Sequence, residues 1–193
     1  MTQHAHRPGS QRNGVSRGHR RNVWFRLAFG SLALGAIAAV RYVAGRGRGR
    51  KIRDVMVADV LTVDPSATLM QAAQTMRSAN VGVLPVVGKD RTLLGLITDR
   101  DLVVRAMSEG ADPATSRVRE FATQDLICAR ADSPVGEALE VMRECQIGRL
   151  PVVDYDNKVI GMVTLSSLAL RARDHDAALH TAEDVARRSA RVA

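Results

Sequence analysis

Val81-Gly82-Val83-Leu84-Pro85-Val86-Val87 is followed, 66 residues later, by Ile147-Gly148-Arg149-Leu150-Pro151-Val152-Val153. The same offset carries Leu94-Gly95-Leu96-Ile97-Thr98 onto Ile160-Gly161-Met162-Val163-Thr164. It holds without an insertion at Arg53 and Arg119, Ala72 and Ala138, Met76 and Met142, Leu102 and Leu168, and Arg105 and Arg171. A constant spacing of this kind marks a duplicated structural unit. One unit is assigned to residues 52–110 and its copy to 117–173.

Within each unit the apolar spacing changes along the chain. A short apolar run, residues 60–63 or 126–129, predicts a strand, and Pro65-Ser66 or Asp132-Ser133-Pro134 predicts a turn and a helix start. Leu69, Ala72, Ala73 and Met76 then recur at helical spacing, as do Val135, Ala138, Leu139 and Met142. The apolar runs 84–87 and 93–97 are joined by Gly88-Lys89-Asp90-Arg91, with Asp154-Tyr155-Asp156-Asn157 in the copy, and predict a hairpin. Gly95 and Gly161 serve hairpin geometry in this reading, and Pro85 and Pro151 mark a strand start or edge. An amphipathic helix through Leu102, Val103 and Met107 closes the unit. The fold class is therefore α/β, with tandem β-α-β-β-α repeats sharing one core.

Composition bounds the function. At 193 residues and 46% hydrophobic, the chain has room for one ordinary domain or two small ones. Two cysteines without a C-x-x-C pair make neither a disulfide scaffold nor a zinc knuckle, and both are expected to be small buried hydrophobes in a reducing compartment. The histidines show no metal spacing. No P-loop, dinucleotide fingerprint, H-E-x-x-H or G-x-S-x-G is present, so neither catalysis nor a metal is expected.

The net charge of +8 is unevenly placed. Twelve Arg or Lys and no acidic residue precede Asp54, leaving sixteen basic residues against all twenty acidic ones in the rest. Residues 1–22 are polar and basic and are expected to be a disordered tail. Residues 23–44 are mostly apolar and read as one helix, and 45–51 is a basic Gly/Arg linker. Only 14 uncharged residues separate Arg26 from Arg41, but 23–44 reaches the roughly 20 that a bilayer core needs, with Trp24 and Tyr42 near its ends. A membrane-spanning helix, an interfacial or docking helix, a packed helix, and a cleaved export signal after Arg20-Arg21 all fit this segment. In the C-terminal segment 174–193, Leu179, Ala182, Val185 and Ala186 recur at helical spacing and predict a further helix.

The doubled Gly-x-Leu-Pro-Val-Val element, followed in the first unit by Gly95-Leu96-Ile97-Thr98-Asp99-Arg100-Asp101, resembles the cystathionine-β-synthase (CBS) domain, and the two copies resemble one CBS pair or Bateman module. The chain is most similar to small stand-alone two-CBS proteins of bacteria, including the hypoxic-response type. The resemblance implies repeats packed with pseudo-twofold symmetry, a homodimer of modules, and a regulatory rather than catalytic role. It also implies adenosine-containing ligands, with AMP, ADP, ATP or S-adenosylmethionine as candidates and no cofactor required. Carried onto this sequence, the main cleft comprises Leu96, Thr98, Arg100, Asp101, Ile127, Cys128, Ile147, Gly148 and Arg149. The chemistry suits them. Asp101 can accept from ribose hydroxyls, Thr98 and a helix start can meet phosphate, and Arg149 can grip phosphate oxygens. Thr98 as a plain helix cap and Arg149 as a solvated side chain are the competing readings.

A second cleft would comprise Leu61, Val81, Gly82, Met162, Thr164 and Ser167. Ser167 stands there where the carboxylate would be, and Val83 stands where Arg149 stands, so only the first cleft is expected to bind nucleotide. The functional expectation is a ligand-sensing module that signals to an unknown protein partner by a conformational or dimer change. The alternatives are a membrane-tethered interaction module without nucleotide binding, and nucleic-acid binding through the basic tail, which no groove-reading motif supports. Nucleotide chemistry places the module on the cytoplasmic side, with 23–44 as a candidate inner-membrane anchor.

Overall fold

Thr68 starts the first long helix: its hydroxyl accepts from Gln71 N–H at 3.2 Å while Gln71 Oε1 accepts from Thr68 N–H at 2.8 Å. The helix, α1 (Leu69–Ala79), buries Leu69, Ala72 and Met76 and ends at Asn80 in the left-handed region. A computed structural model describes residues 40–43, 49–171 and 175–190 of the protein. The copy of α1 is α3 (Val135–Cys145), which ends at Gln146 in the same left-handed conformation. Each long helix leads into a hairpin. Strands β3 (Val83–Val87) and β4 (Leu93–Thr98) pair antiparallel, as do β6 (Arg149–Val153) and β7 (Val159–Thr164), with a register break between Val86 and Val87 and again between Val152 and Val153.

The repeats exchange their leading segments. Ile52 N–H donates to Ser133 O at 3.0 Å and Val118 N–H to Ala67 O at 2.9 Å, two bonds related by the 66-residue offset. Ile52 and Val55 are buried in the core of the second repeat, and Val118 and Phe121, from the short helix α2 (Val118–Phe121), in the core of the first. Strand β2 (Val57–Ala58) pairs with β7, and Thr123 bridges Leu96 on β4. Thr92 bridges its own repeat mate Lys158, so the pseudo-twofold axis passes between them. A third apolar cluster, Val87, Leu93, Leu126, Cys128, Val153 and Val159, joins the two halves.

Four elements differ from the sequence reading. The apolar segment 23–44 does not end as a helix: β1 (Val40–Val43) is a strand, parallel to β5 (Leu126–Arg130) with Arg41 opposite Ile127. Backbone pairing along β5 and burial of Val43 outweigh helix formation, and Tyr42 lies under the Arg130 guanidinium, 4.1 Å from its ring centroid. Among the described residues no helix is long and apolar enough to cross a membrane, and residues 1–39 lie outside them. Residues 60–63 do not form a full strand. Only Val63 bridges Val86, whereas its copy β5 has β1 along its outer side.

The helix after β4, Asp101–Met107, is of the wider π type and buries Ala106, leaving Val103, Val104 and Met107 exposed. Its extra residue per turn rotates the expected apolar stripe outward. Its counterpart is α4 (Leu165–Arg171). The C-terminal helix α5 (His175–Ala190) packs on α3 and α4, but its inward residue is Thr181, with Leu179 and Ala186 exposed and Ala182 and Val185 half-buried. Pro85 and Pro151 sit inside β3 and β6 rather than at a start; β3 is an edge strand of its two-stranded sheet, as expected, whereas β6 lies between β5 and β7.

One departure from symmetry leaves a carboxylate stranded. Pro134 and Glu137 stand where the first repeat has Thr68 and Gln71, but proline has neither the hydroxyl nor the N–H of the capping box. Glu137 Oε2 is buried without a hydrogen-bond partner. Burial, aided by Glu140 and opposed by Lys51, raises its pKa above 4.5. A raised carboxyl pKa means that the folded state loses stability as pH rises from 4.5 through the folded value. Glu137→Gln should therefore raise stability on the order of 0.5 kcal/mol at pH 7, the exposed part of the carboxylate keeping some hydration, and change little at pH 4. Equal gains at both pH values in urea unfolding would refute this origin.

Candidate functional site

The end of β4 and the start of the next helix lock together through Thr98 and Asp101. Asp101 Oδ2 accepts from Thr98 N–H at 2.9 Å and from its hydroxyl at 2.7 Å, and Asp101 N–H donates to Thr98 Oγ1 at 3.1 Å. Arg105 Nη1 reaches Asp101 Oδ1 at 3.3 Å and donates to Phe121 O at 2.7 Å, which ties the latch to the leading segment of the second repeat. In the second repeat Thr164 N–H donates to Ser167 Oγ and Ser167 N–H to Thr164 Oγ1, each at 3.0 Å, but the Ser167 hydroxyl donates to Thr164 O, whereas Asp101 accepts from the Thr98 hydroxyl.

A cleft of about 600 Å³ opens beside this latch, between the repeats. Its walls come from Leu96, Thr98, Asp99 and Arg100 of the first repeat, from Thr123 and Asp125 to Ile127 leading into and along β5, and from Cys145 to Arg149 across the α3–β6 turn. Pro151 helps to open it. Ladder pairing between β5 and β6 covers only Ala129–Val152 and Arg130–Val153, so nothing in the sheet joins Leu126 and Ile127 to the start of β6.

Seven of the nine residues expected in the main cleft line it: Leu96, Thr98, Arg100, Ile127, Ile147, Gly148 and Arg149. Cys128 does not. It is fully buried in the cluster between the repeats, because alternation along β5 turns it away from Ile127, and burial pushes its thiol pKa up to about 12. Asp101 sits behind the wall with its carboxylate on Thr98 and Arg105. Sequence reasoning missed Arg41, Asp99, Thr123, Asp125, Leu126, Cys145 and Gln146. Cys145 and Gln146 directly precede Ile147 and could have been found by continuity. Thr123 is reached by applying the 66-residue offset to Val57 and Met162, which pair across the repeats. Arg41 carried no such signal, since it lay in a segment read as helix.

The six residues of the second cleft are placed less favourably. Met162 and Ser167 are buried, Leu61 and Val81 are exposed, and Thr164 is taken up by Ser167. At Gly82 an added Cβ would stand 2.7 Å from Asp99 Oδ2, so that carboxylate lies directly over it.

Two β-α-β-β-α units that exchange leading segments about a pseudo-twofold axis, with a cleft between them, define a tandem CBS-type module. The CBS domain family matches residues 52–108 and 118–173, and the chain belongs to it. It is 37% identical over 123 residues to hypoxic response protein 1 of Mycobacterium tuberculosis, covering 64% of this chain and 85% of that one. The solved structure of Hypoxic Response Protein I, which holds two coordinated zinc ions, aligns with a TM-score of 0.58 over 63% of this chain and 98% of the other. Among the described residues here, no group of three His, Cys, Asp or Glu is placed to hold a metal ion. The CBS domain pair of MJ0100, in complex with 5′-methylthioadenosine and S-adenosyl-L-methionine, aligns at 26% identity and TM-score 0.57, covering 63% and 94% of the two chains. CBSX2 in complex with AMP aligns at 26% identity and TM-score 0.58, covering 64% and 96%.

Proposed function

We propose that this chain is a regulatory, non-catalytic module that takes an adenosine-containing ligand, such as AMP, ADP, ATP or S-adenosylmethionine, into the cleft between its repeats. The observation that carries the reading is the placement of the Thr98–Asp101 latch beside a cleft whose far wall presents Arg149. The adenosine ligands of MJ0100 and CBSX2 support it. Leu96, Ile127 and Ile147 supply apolar surface for the base, and Gly148 leaves room beside them.

The latch also suggests how binding is signalled. A carboxylate offers about four acceptor positions, and Asp101 already uses three on Thr98 and Arg105. One position is therefore left for a ribose hydroxyl, and the second hydroxyl of the same ribose competes with the longest of these bonds, the 3.3 Å contact to Arg105, whose other bond holds Phe121. Binding is then felt across the exchanged segment. A ligand shifts the arrangement only by binding one form better than the other. Val103, Val104 and Met107 on the helix beside the latch, exposed at 58%, 50% and 69%, are the surface through which a second module would pair as a homodimer and read that shift. An adenine-nucleotide ligand places the module on the cytoplasmic side.

Thermal unfolding of the chain with each of the four ligands tests the reading. Ligand at 100 times its dissociation constant should add about 2.7 kcal/mol of stability, and Asp101→Ala, measured against its own ligand-free midpoint, should lose that gain. Absence of a shift with all four would overturn the assignment.

A further inference from the structure

Arg41 belongs to neither repeat, yet it lines the cleft together with Arg100 and Arg149. It is held there by an anchored strand. β1 pairs with β5 from Leu126 to Ala129, Val43 is buried, and the Ser133 hydroxyl donates to Val43 O at 2.8 Å. β1 and β6 flank β5, and β6 is unpaired with β5 at its start, so Arg41 and Arg149 face each other across the opening of the cleft. Among the described residues the guanidiniums of Arg41, Arg100 and Arg149 make no hydrogen bond or ion pair. The facing carboxylates are Asp99 and Asp125, and Asp99 Oδ1 already accepts the Arg100 N–H at 2.7 Å.

Three uncommitted arginines exceed what one phosphate needs. A monophosphate has three terminal oxygens, and the fork of Arg149 can hold two of them, the Thr98 N–H and hydroxyl being given to Asp101. Arginines on two further elements match the oxygens of a phosphate chain extending out of the cleft. We infer that Arg41 is a ligand-binding residue that makes this cleft selective for an adenosine nucleotide with two or three phosphates, and that such a ligand fastens β1 to the sheet. The inference rests on the adenosine reading of the cleft. Linkage makes the coupling reciprocal: a nucleotide held by Arg41 stabilises β1 docking, and a docked β1 tightens the nucleotide. The chain preceding the repeats thereby feels the occupancy of the cleft.

Calorimetric titration of the full chain with adenosine, AMP, ADP and ATP, on the wild type and on Arg41→Gln and Arg41→Lys, tests this. The wild type should bind ATP and ADP about tenfold more tightly than AMP, Arg41→Gln should remove most of that preference while leaving AMP within about twofold, and Arg41→Lys should keep part of it. Hydrogen exchange of the β1 amides should slow with ATP and not with AMP. Unfolding midpoints matching the wild type establish that the variants are folded. Equal affinity for AMP and ATP, or an ATP affinity unchanged by Arg41→Gln, overturns the role of Arg41 and leaves the adenosine cleft standing. If none of the four compounds binds, the cleft reading and this inference fall together.

Discussion

Leu84→Ala and Leu150→Ala are each expected to cost about 2–5 kcal/mol and to unfold the whole module in a single transition. Both leucines are fully buried repeat mates, on β3 and β6, and each sits in the core of its own repeat. Truncating either removes apolar contacts and leaves a cavity that close-packed neighbours fill only in part. The expectation of one transition comes from the exchanged segments. The core around Leu84 includes Val118 and Phe121, which open the second repeat, and the core around Leu150 includes Ile52 and Val55, which open the first. Neither core can open without pulling out a segment covalently joined to the other. Chemical unfolding followed by circular dichroism should show a lower midpoint with the denaturant slope unchanged. Two separated transitions, or a loss below about 1 kcal/mol, would mean that the repeats are independent units.

The duplication made much of this legible. A 66-residue offset located both hairpins and both long helices, and therefore the end of β4 and the start of β6 that frame the cleft. Periodicity reports which residues are apolar, however, and not which neighbour covers them. Ile52 and Val118 carried no expectation beyond lying at the starts of their units, although each completes the opposite core. Val40–Val43 continued an apolar helical pattern, and only pairing along β5 decides for a strand. The helix Asp101–Met107 followed an α-spaced stripe that its wider turn rotates to the surface. Cys128 failed for a simpler reason: alternation along β5 turns it from Ile127 into the cluster between the repeats, where it is fully buried.

Gly161→Ala is expected to destabilise the module by about 1–3 kcal/mol, with Gly95→Ala somewhat milder. The two glycines are repeat mates on β7 and β4, and each lies where the leading segment of the other repeat crosses its strand. A Cβ on Gly161 would meet Val57 O at 2.8 Å and Met56 Sδ at 3.0 Å, and one on Gly95 would meet Thr123 O at 3.0 Å and the Ala122 methyl at 3.3 Å. A carbonyl oxygen in a paired backbone cannot swing aside as a side-chain tip can. Relief at Gly161 therefore requires β2 to lift from β7, breaking the pairing of Val57 with Met162 and of Ala58 with Gly161. The same lift at Gly95 would loosen Thr123 from Leu96, whose two backbone bonds of 2.9 and 2.8 Å join the second repeat's entry to the cleft wall. The milder substitution should thus have the larger functional consequence. Gly95→Ala should weaken nucleotide binding at a temperature where it is fully folded, whereas Gly161→Ala, on the pseudo-equivalent side, should bind as the wild type does once folded. Urea unfolding and ligand titration on the same two variants separate these effects. If Gly95→Ala binds normally, or if both glycines accept a methyl group without loss of stability, the close crossing does not control the cleft.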